Sequence, residues 1–156
     1  MYQVKIEEVE ANSVLALRHQ GAYDDIAYSF EQLLNLVTTK NYVGSACRVF
    51  GIYYDDPNVT SPEQRRSDAC ILVNQACDEE EPYHMTKTPS GPCAIVEHVG
   101  PYAEVDGIYD WIIGTWMQDS GEEPADRPCF LEYLNNPRNT APKALRTKIY
   151  VPIKER

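Results

Sequence analysis

One acidic residue of the sequence lies in an otherwise apolar run: Glu132, within Phe130-Leu131-Glu132-Tyr133-Leu134. A carboxylate in such a strand must face a cation, a hydrogen-bond donor or a water-filled cleft, because removing an unpaired charge from water is costly. Glu97 follows a similar apolar run. We predict that both carboxylates serve a binding site for a charged or polar partner. An exposed position beside an Arg or Lys is the alternative for Glu132.

Aromatic residues supply the other groups that could bind a ligand, and tyrosine dominates them, with 11 Tyr against 3 Phe and 2 Trp. A buried Tyr ring needs a partner for its hydroxyl, whereas a ring that lines a cleft can stack on a flat or cationic guest. Tyr53, Tyr102 and Tyr133 lie near predicted strand ends and helix starts, and we take them as candidate ligand-binding residues. Wedge packing between sheet and helix is the alternative for each ring.

The sequence carries none of the common catalytic signatures, such as Gly-x-Ser-x-Gly, a phosphate-binding loop, His-Glu-x-x-His or a Gly-rich dinucleotide fingerprint. We predict structural hydrogen bonds for His19 and His98, which precede two Gly-x-Tyr segments. The 5 cysteines lack metal-ligand spacing, which favours reduced, mostly buried thiols. We therefore predict no catalytic residue, no metal site and no cofactor.

The net charge of -10 over 156 residues disfavours direct binding of nucleic acids and favours cationic partners; solubility alone is the alternative reason for the charge. No apolar stretch approaches the roughly 20 residues that span a bilayer, so we predict no membrane partner. The N-terminus has a strand pattern and does not resemble a signal peptide. The sequence therefore predicts a cytoplasmic protein.

An internal repeat organises the chain. Gly21-Ala22-Tyr23 matches Gly100-Pro101-Tyr102 after 79 residues, and Tyr53 to Pro57 matches Tyr133 to Pro137 after 80 residues. Two matching blocks in the same order indicate a duplication.

We predict that residues 1–156 form a single domain made of two copies, about 2–75 and 83–153. Apolar periodicity predicts strands over Val4–Val9, Ser13–His19, Arg48–Tyr54, Cys70–Val73, Tyr83–Lys87, Cys93–Val99, Cys129–Leu134 and Thr147–Pro152. Helical faces run from Ile26 to Val37 and from Val105 to Trp116. The predicted class is α+β, with antiparallel sheets and a ligand groove between the copies.

In several blocks the sequence resembles the GyrI-like, or SbmC-like, small-molecule-binding family, whose domain is also the effector-binding part of AraC-type and BmrR-type regulators. The blocks that carry the resemblance are Gly21-Ala22-Tyr23, Gly51 to Pro57, Arg66 to Cys70, Gly100-Pro101-Tyr102, Pro128 to Pro137 and Leu145 to Pro152. They cover nearly the whole chain in the expected order.

The resemblance implies two pseudo-twofold-related strand-helix-strand-strand modules around a groove that binds hydrophobic, often cationic, compounds through aromatic rings and one carboxylate. It places Tyr133 and Trp116 among the ligand-binding residues. The family carboxylate directly follows a Phe, which is the position of Leu131 here. Glu132 comes one residue later, and successive strand side chains face opposite sides.

These observations predict a binding protein for hydrophobic, cationic aromatic compounds that acts by sequestration or sensing. We expect a stand-alone domain, because no helix-turn-helix segment is present in the sequence. Two alternatives stay open: a hydrolase of cyclopropane-type toxins with Glu132 as general base, and a DNA gyrase inhibitor acting by protein interaction. A hydrolase needs a water held against the carboxylate, and an interaction protein needs an exposed apolar patch.

Overall fold

The computed structural model describes residues 2–40, 48–73, 81–137 and 139–155. The chain divides into two compact units. We call Ala11–Thr88 the first unit, and Met1–Glu10 together with Pro89–Arg156 the second unit. None of the helices in the described ranges is long and apolar enough to span a membrane.

The regular elements follow the order strand, strand, helical segment, strand, strand twice along the chain. The strands are β1 (Lys5–Val9), β2 (Ser13–Gln20), β3 (Val49–Tyr53), β4 (Arg66–Leu72), β5 (Tyr83–Lys87), β6 (Gly91–Val99), β7 (Cys129–Tyr133) and β8 (Arg146–Pro152). The helices are α1 (Ala27–Thr39), α2 (Val105–Trp111) and α3 (Met117–Ser120), with a π-helical turn over Ile112–Trp116. The predicted α+β class with antiparallel sheets is confirmed.

The first unit is an antiparallel sheet in the order β5-β2-β4-β3, with α1 packed on one face. The helix buries Leu33 and Val37 against Leu15 and Ile71 of the sheet. These apolar residues recur at helical spacing on α1 and at every second position on the strands, so each element turns one apolar side to the core.

The second unit repeats this design with an antiparallel sheet in the order β1-β6-β8-β7. Ile108 and Ile112 of the helical segment pack against Val96 and Ile149 of the sheet. The helical segment ends at Gly121, whose φ of +80° is a left-handed conformation that favours glycine at a helix C-terminus.

The two strand orders are the same once positions 79 or 80 apart are equated, since β5, β2, β4 and β3 then correspond to β1, β6, β8 and β7. The outer strand of each unit nevertheless comes from the other predicted copy. β1 pairs with β6, and β5 pairs with β2. The compact units therefore differ from the sequence segments 2–75 and 83–153 by an exchange of these strands.

Each sheet has two chemically different faces. One faces the helix of its unit; we call the other the far face. In the second unit Leu131 packs with the helix-side cluster, so its neighbours Phe130 and Glu132 lie on the far face. In the first unit Ala69 belongs to the helix-side cluster, which places Asp68 and Cys70 on the far face.

Candidate functional site

Glu132 lies on the far face of the second unit with only 6% of its surface exposed. The hydroxyl of Tyr150 donates a hydrogen bond to its Oε1 at 3.2 Å. The Tyr150 ring stacks on Phe130, with centroids 4.3 Å apart and an interplanar angle of 7°. Strand β7 thus presents a buried carboxylate beside a stacked aromatic pair.

A row of three charged residues crosses this face. The strand register places Glu97, Lys148 and Glu132 side by side on β6, β8 and β7. The Nζ of Lys148 lies 6.0 Å from the centroid of the Tyr150 ring. Because Lys148 is only partly buried, solvent reaches the middle of the row.

Glu97 is the exposed end of the row, with 41% of its side chain accessible, and it forms an ion pair with Arg146. The pKa of Glu97 is lowered, mainly by the hydrogen bond from Arg146 and further by the positive charges of Arg146, Lys148 and Lys5. This carboxylate is therefore an anion at neutral pH.

The first unit carries a different set of side chains in the equivalent row, with Arg18, Asp68 and Ile52 side by side on β2, β4 and β3. Asp68 is fully buried. Its Oδ1 accepts a hydrogen bond from Arg18 Nε at 2.7 Å, and its Oδ2 accepts one from the Tyr54 hydroxyl at 2.6 Å. The Arg18 guanidinium lies 4.9 Å from the centroid of the Tyr54 ring.

These contacts explain how the first unit holds a buried charge. Nε2 of His84 lies 3.5 Å from Asp68 Oδ2. Burial raises the pKa of Tyr54, and its hydrogen bond to Asp68 raises it further. The Asp68 hydrogen bond raises the pKa of Arg18. Asp68 thus faces a cation and two further polar groups, which a buried carboxylate requires.

The predicted ligand-binding aromatics lie on the helix side of the sheets. The rings of Tyr102 and Tyr133 form an edge contact with centroids 5.3 Å apart, and Trp116 packs against the helix-side cluster. In the first unit Tyr53 makes the equivalent edge contact with Tyr23 at 4.8 Å. Strand alternation sends Tyr133 and Glu132 to opposite faces, so the structure groups Glu132 with Glu97 and groups Tyr133 with Tyr102.

Sequence reasoning missed Tyr150, Phe130 and Lys148, which lie near Glu132. It also missed Asp68 and the side chains that contact it, which are Arg18, Tyr54 and His84. The sequence carried no sufficient signal for Tyr150, because its place beside Glu132 depends on the register that pairs Tyr150 with Phe130. The signal for Asp68 was also weak, since a charged residue in the middle of a strand normally indicates an exposed position.

The structural hydrogen bond predicted for His98 is not seen among the described residues, because its buried Nε2 has no hydrogen-bond partner there, although it lies 3.2 Å from Glu104 Oε1. The other predicted groups have structural contacts. His19 Nε2 lies 2.9 Å from the carbonyl oxygen of Ala22. Cys70 and Cys93 are buried free thiols, and burial raises the pKa of both. Cys47 and Cys77 lie outside the described residues. Among the described residues, no group of three His, Cys, Asp or Glu side chains could hold a metal ion.

Two helix-covered antiparallel sheets, with charged groups buried on their far faces, define the chain as an α+β domain. The chain belongs to the GyrI-like small molecule binding domain family, whose model matches residues 2–154. The resemblance predicted from the sequence blocks is thereby confirmed.

Two curated relatives come from Escherichia coli strain K12. The chain is 30% identical over 108 residues to a protein described as the probable transcriptional regulator YgiV, covering 68% of this chain and 67% of YgiV. It is 29% identical over 141 residues to a protein named DNA gyrase inhibitor, covering 86% of each.

Solved structures share the fold at low sequence identity. The EcmrR C-terminal domain superposes with a TM-score of 0.79 at 18% identity, covering all of this chain and 99% of that domain. SAV2435, solved bound to tetraphenylphosphonium, has a TM-score of 0.65 at 11% identity, covering 97% of this chain and 95% of SAV2435. These likenesses concern the fold.

Proposed function

We propose that this protein binds hydrophobic aromatic cations, and that it acts by sequestering or sensing them. The observation that carries the proposal is the buried Glu132 beside the stacked rings of Phe130 and Tyr150. A carboxylate buried in this way attracts a positive charge strongly, because little water screens it. Phe130 and Tyr150 are themselves buried, with 1% and 5% of their surface exposed, so they surround the carboxylate with apolar groups and keep water away from it.

The repeat supports a functional origin for this carboxylate. The position equivalent to Glu132 in the first unit is Ile52, which is 1% exposed, so this strand position does not itself require a charge. Burying a carboxylate costs more than burying an isoleucine unless it gains an interaction. We infer that, besides accepting the Tyr150 hydrogen bond, this carboxylate serves to attract a cationic ligand.

The similar proteins agree with both parts of the proposal. SAV2435 was solved with tetraphenylphosphonium, a hydrophobic cation of the class proposed here. YgiV is described as a probable transcriptional regulator, which fits a sensing role for a domain of this family. We propose tetraphenylphosphonium as the first test ligand for the present chain.

The decisive variant is Glu132→Gln, which keeps the shape of the side chain and removes its charge. We expect the affinity for tetraphenylphosphonium to fall by about 1–3 kcal/mol, roughly five- to 150-fold, as for the loss of a charge-assisted contact. Binding of neutral triphenylphosphine oxide should stay nearly constant. Isothermal titration calorimetry of both ligands measures the two effects.

The matched control is Glu123→Gln, which removes the same charge from a side chain that is 70% exposed and paired with Lys154 at 3.9 Å. This variant should bind tetraphenylphosphonium as the natural protein does. An equal loss in both variants, or no loss in Glu132→Gln, would contradict the proposal.

Inhibition of DNA gyrase by protein contact is a second candidate, favoured by the name of the Escherichia coli relative that covers 86% of this chain. The acidic net charge suits a basic partner surface. A supercoiling assay with purified gyrase tests it: we expect dose-dependent inhibition that Glu132→Gln leaves unchanged. Full supercoiling at a large excess of this protein would contradict the candidate.

A further inference from the structure

The charged row of the second unit contains a cation that belongs to the chain itself. Resting on the proposed function, we propose that Lys148 is a tethered cation: its ammonium occupies the region that the charge of a ligand takes, and it moves toward Glu97 when a cationic ligand binds. Lys148 would then set the selectivity of the site, because it determines how strongly a cation must interact there, and what size it must have, in order to bind.

The position of the ammonium is the first argument. Its Nζ lies 6.0 Å from the centroid of the Tyr150 ring, at the outer limit of a favourable cation–π distance. The hydroxyl of the same ring binds Glu132, and Lys148 is the cross-strand neighbour of Glu132. A ligand cation that approaches this ring and this carboxylate would compete with the ammonium.

In the first unit a cationic side chain of the protein contacts both a carboxylate and an aromatic ring. Arg18 combines a 2.7 Å contact to the Asp68 carboxylate with a 4.9 Å stack on Tyr54. A guanidinium held both ways is rigid and hard to displace, whereas a lysine ammonium is a point charge on a flexible stem. Both units thus combine a carboxylate, a Tyr ring and a cationic side chain. The cation of the first unit is a firmly bound arginine, whereas that of the second unit is a lysine that a ligand can displace.

Glu97 gives the displaced ammonium an alternative partner. It is the other cross-strand neighbour of Lys148, and its side chain is 41% exposed. The charge of Lys148 already contributes to the lowered pKa of Glu97. Movement toward Glu97 would keep the ammonium paired in a solvated place, so its displacement costs less than complete loss of its contacts.

The test compares Lys148→Met and Lys148→Gln with the natural protein in calorimetric titrations of tetraphenylphosphonium and triphenylphosphine oxide. We expect both variants to bind the cation about three- to tenfold more tightly, because no ammonium has to leave the Tyr150 ring. The neutral ligand should bind all proteins alike. Lys154→Met is the control, since it removes the same charge from a side chain that is 61% exposed.

A second pair of variants tests the destination of the ammonium. Glu97→Gln should weaken tetraphenylphosphonium binding about two- to threefold in the natural protein, as expected for a solvated ion pair, and should have no effect in the Lys148→Met background. Equal effects of Glu97→Gln in both backgrounds would overturn the proposed movement.

The outcomes separate this inference from the proposed function. Absence of tetraphenylphosphonium binding to every variant would contradict the function itself. Binding that depends on Glu132 but is unchanged or weaker in both Lys148 variants would overturn the role of Lys148 and leave the function standing. Tighter binding of the neutral ligand as well would show that Lys148 acts by its size, which also overturns the inference. Far-UV circular dichroism of both variants verifies that they are folded.

Discussion

At equivalent positions of the two units, similar strands carry different chemistry. Ile52 and Glu132 occupy the same place in the two sheets, and so do Asp68 and Lys148. The apolar helix-side residues are alike in both units, so the fold depends on them more than on the far-face row. The row can therefore differ between the units without a change of fold, and in the first unit its carboxylate binds Arg18 of the same chain.

Asp55 and Asn135, which also occupy equivalent positions of the two units, allow a prediction about stability. The carboxylate of Asp55 accepts a hydrogen bond from the backbone N–H of Arg66 at 2.6 Å and forms an ion pair with its guanidinium at 3.1 Å. Asn135 accepts the equivalent bond from Arg146 at 3.0 Å. Asp55→Asn should therefore keep the turn and lose only an exposed ion pair, lowering Tm by at most about 3 °C at pH 7.

The pH dependence of this variant follows from the direction of the shift. The hydrogen bond from the Arg66 side chain lowers the pKa of Asp55 below its usual value in the folded protein. A lowered pKa adds stability above the pKa of the unfolded chain, about 3.9, and that stability is lost as the pH falls through the folded-state pKa. The natural protein and the variant should therefore differ above about pH 5 and converge in acid.

Thermal melts between pH 2 and 8 check this prediction. The control is Asp56→Asn, which removes the same charge from the neighbouring residue, whose carboxylate accepts a hydrogen bond from the backbone N–H of Asn58. A stability difference of Asp55→Asn that persists unchanged into strong acid would contradict the ion-pair explanation.

At the scale of elements, apolar periodicity located every strand and both helical segments, because each packs one apolar side on a core. The sequence could not locate the start of β4. The strand was expected from Cys70 but begins at Arg66. Ser67 and Asp68 made that stretch look like a loop, yet both are fully buried.

Asp68 tolerates burial because Arg18 and Tyr54 satisfy its carboxylate. Those partners lie on β2 and just beyond β3, 50 and 14 residues away in the chain. A pattern within one strand does not contain such contacts, so local periodicity could not predict them. The same limit applies to Tyr150, whose place beside Glu132 depends on the register between two strands.

The face on which Glu132 lies follows from the alternation of side chains along a strand. The family carboxylate position falls on Leu131, which packs with the helix-side cluster. Glu132 is on the far face, together with Phe130 and away from Tyr133. Glu132 was predicted to bind the ligand from its apolar surroundings in the sequence, and Tyr133 and Trp116 from the resemblance. Within the second unit, Phe130 and Tyr150 are the rings beside this carboxylate.

At the scale of the whole molecule, each compact unit uses one outer strand from outside its own sequence copy. β1 joins the unit of residues 89–156, and β5 joins the unit of residues 11–88. This pairing ties the two segments of the chain together, because neither predicted copy contains all four strands of its sheet.

The net charge of -10 and the buried Glu132 should affect cation binding in separable ways. Long-range attraction acts through water and is screened beyond about 30 Å at 0.01 M salt but beyond about 3 Å at 1 M. A buried contact is screened much less. We therefore expect the association rate of tetraphenylphosphonium to fall by about tenfold over this salt range, while the affinity ratio between the natural protein and Glu132→Gln stays nearly constant. Stopped-flow fluorescence by dye displacement measures the rates, and calorimetry at each salt concentration measures the ratio.

Neutral triphenylphosphine oxide, which the net charge does not attract, is the control. Convergence of the natural protein and Glu132→Gln at 1 M salt would mean that water reaches Glu132 freely, and the cation selectivity would then have to come from the surface charge of the whole molecule.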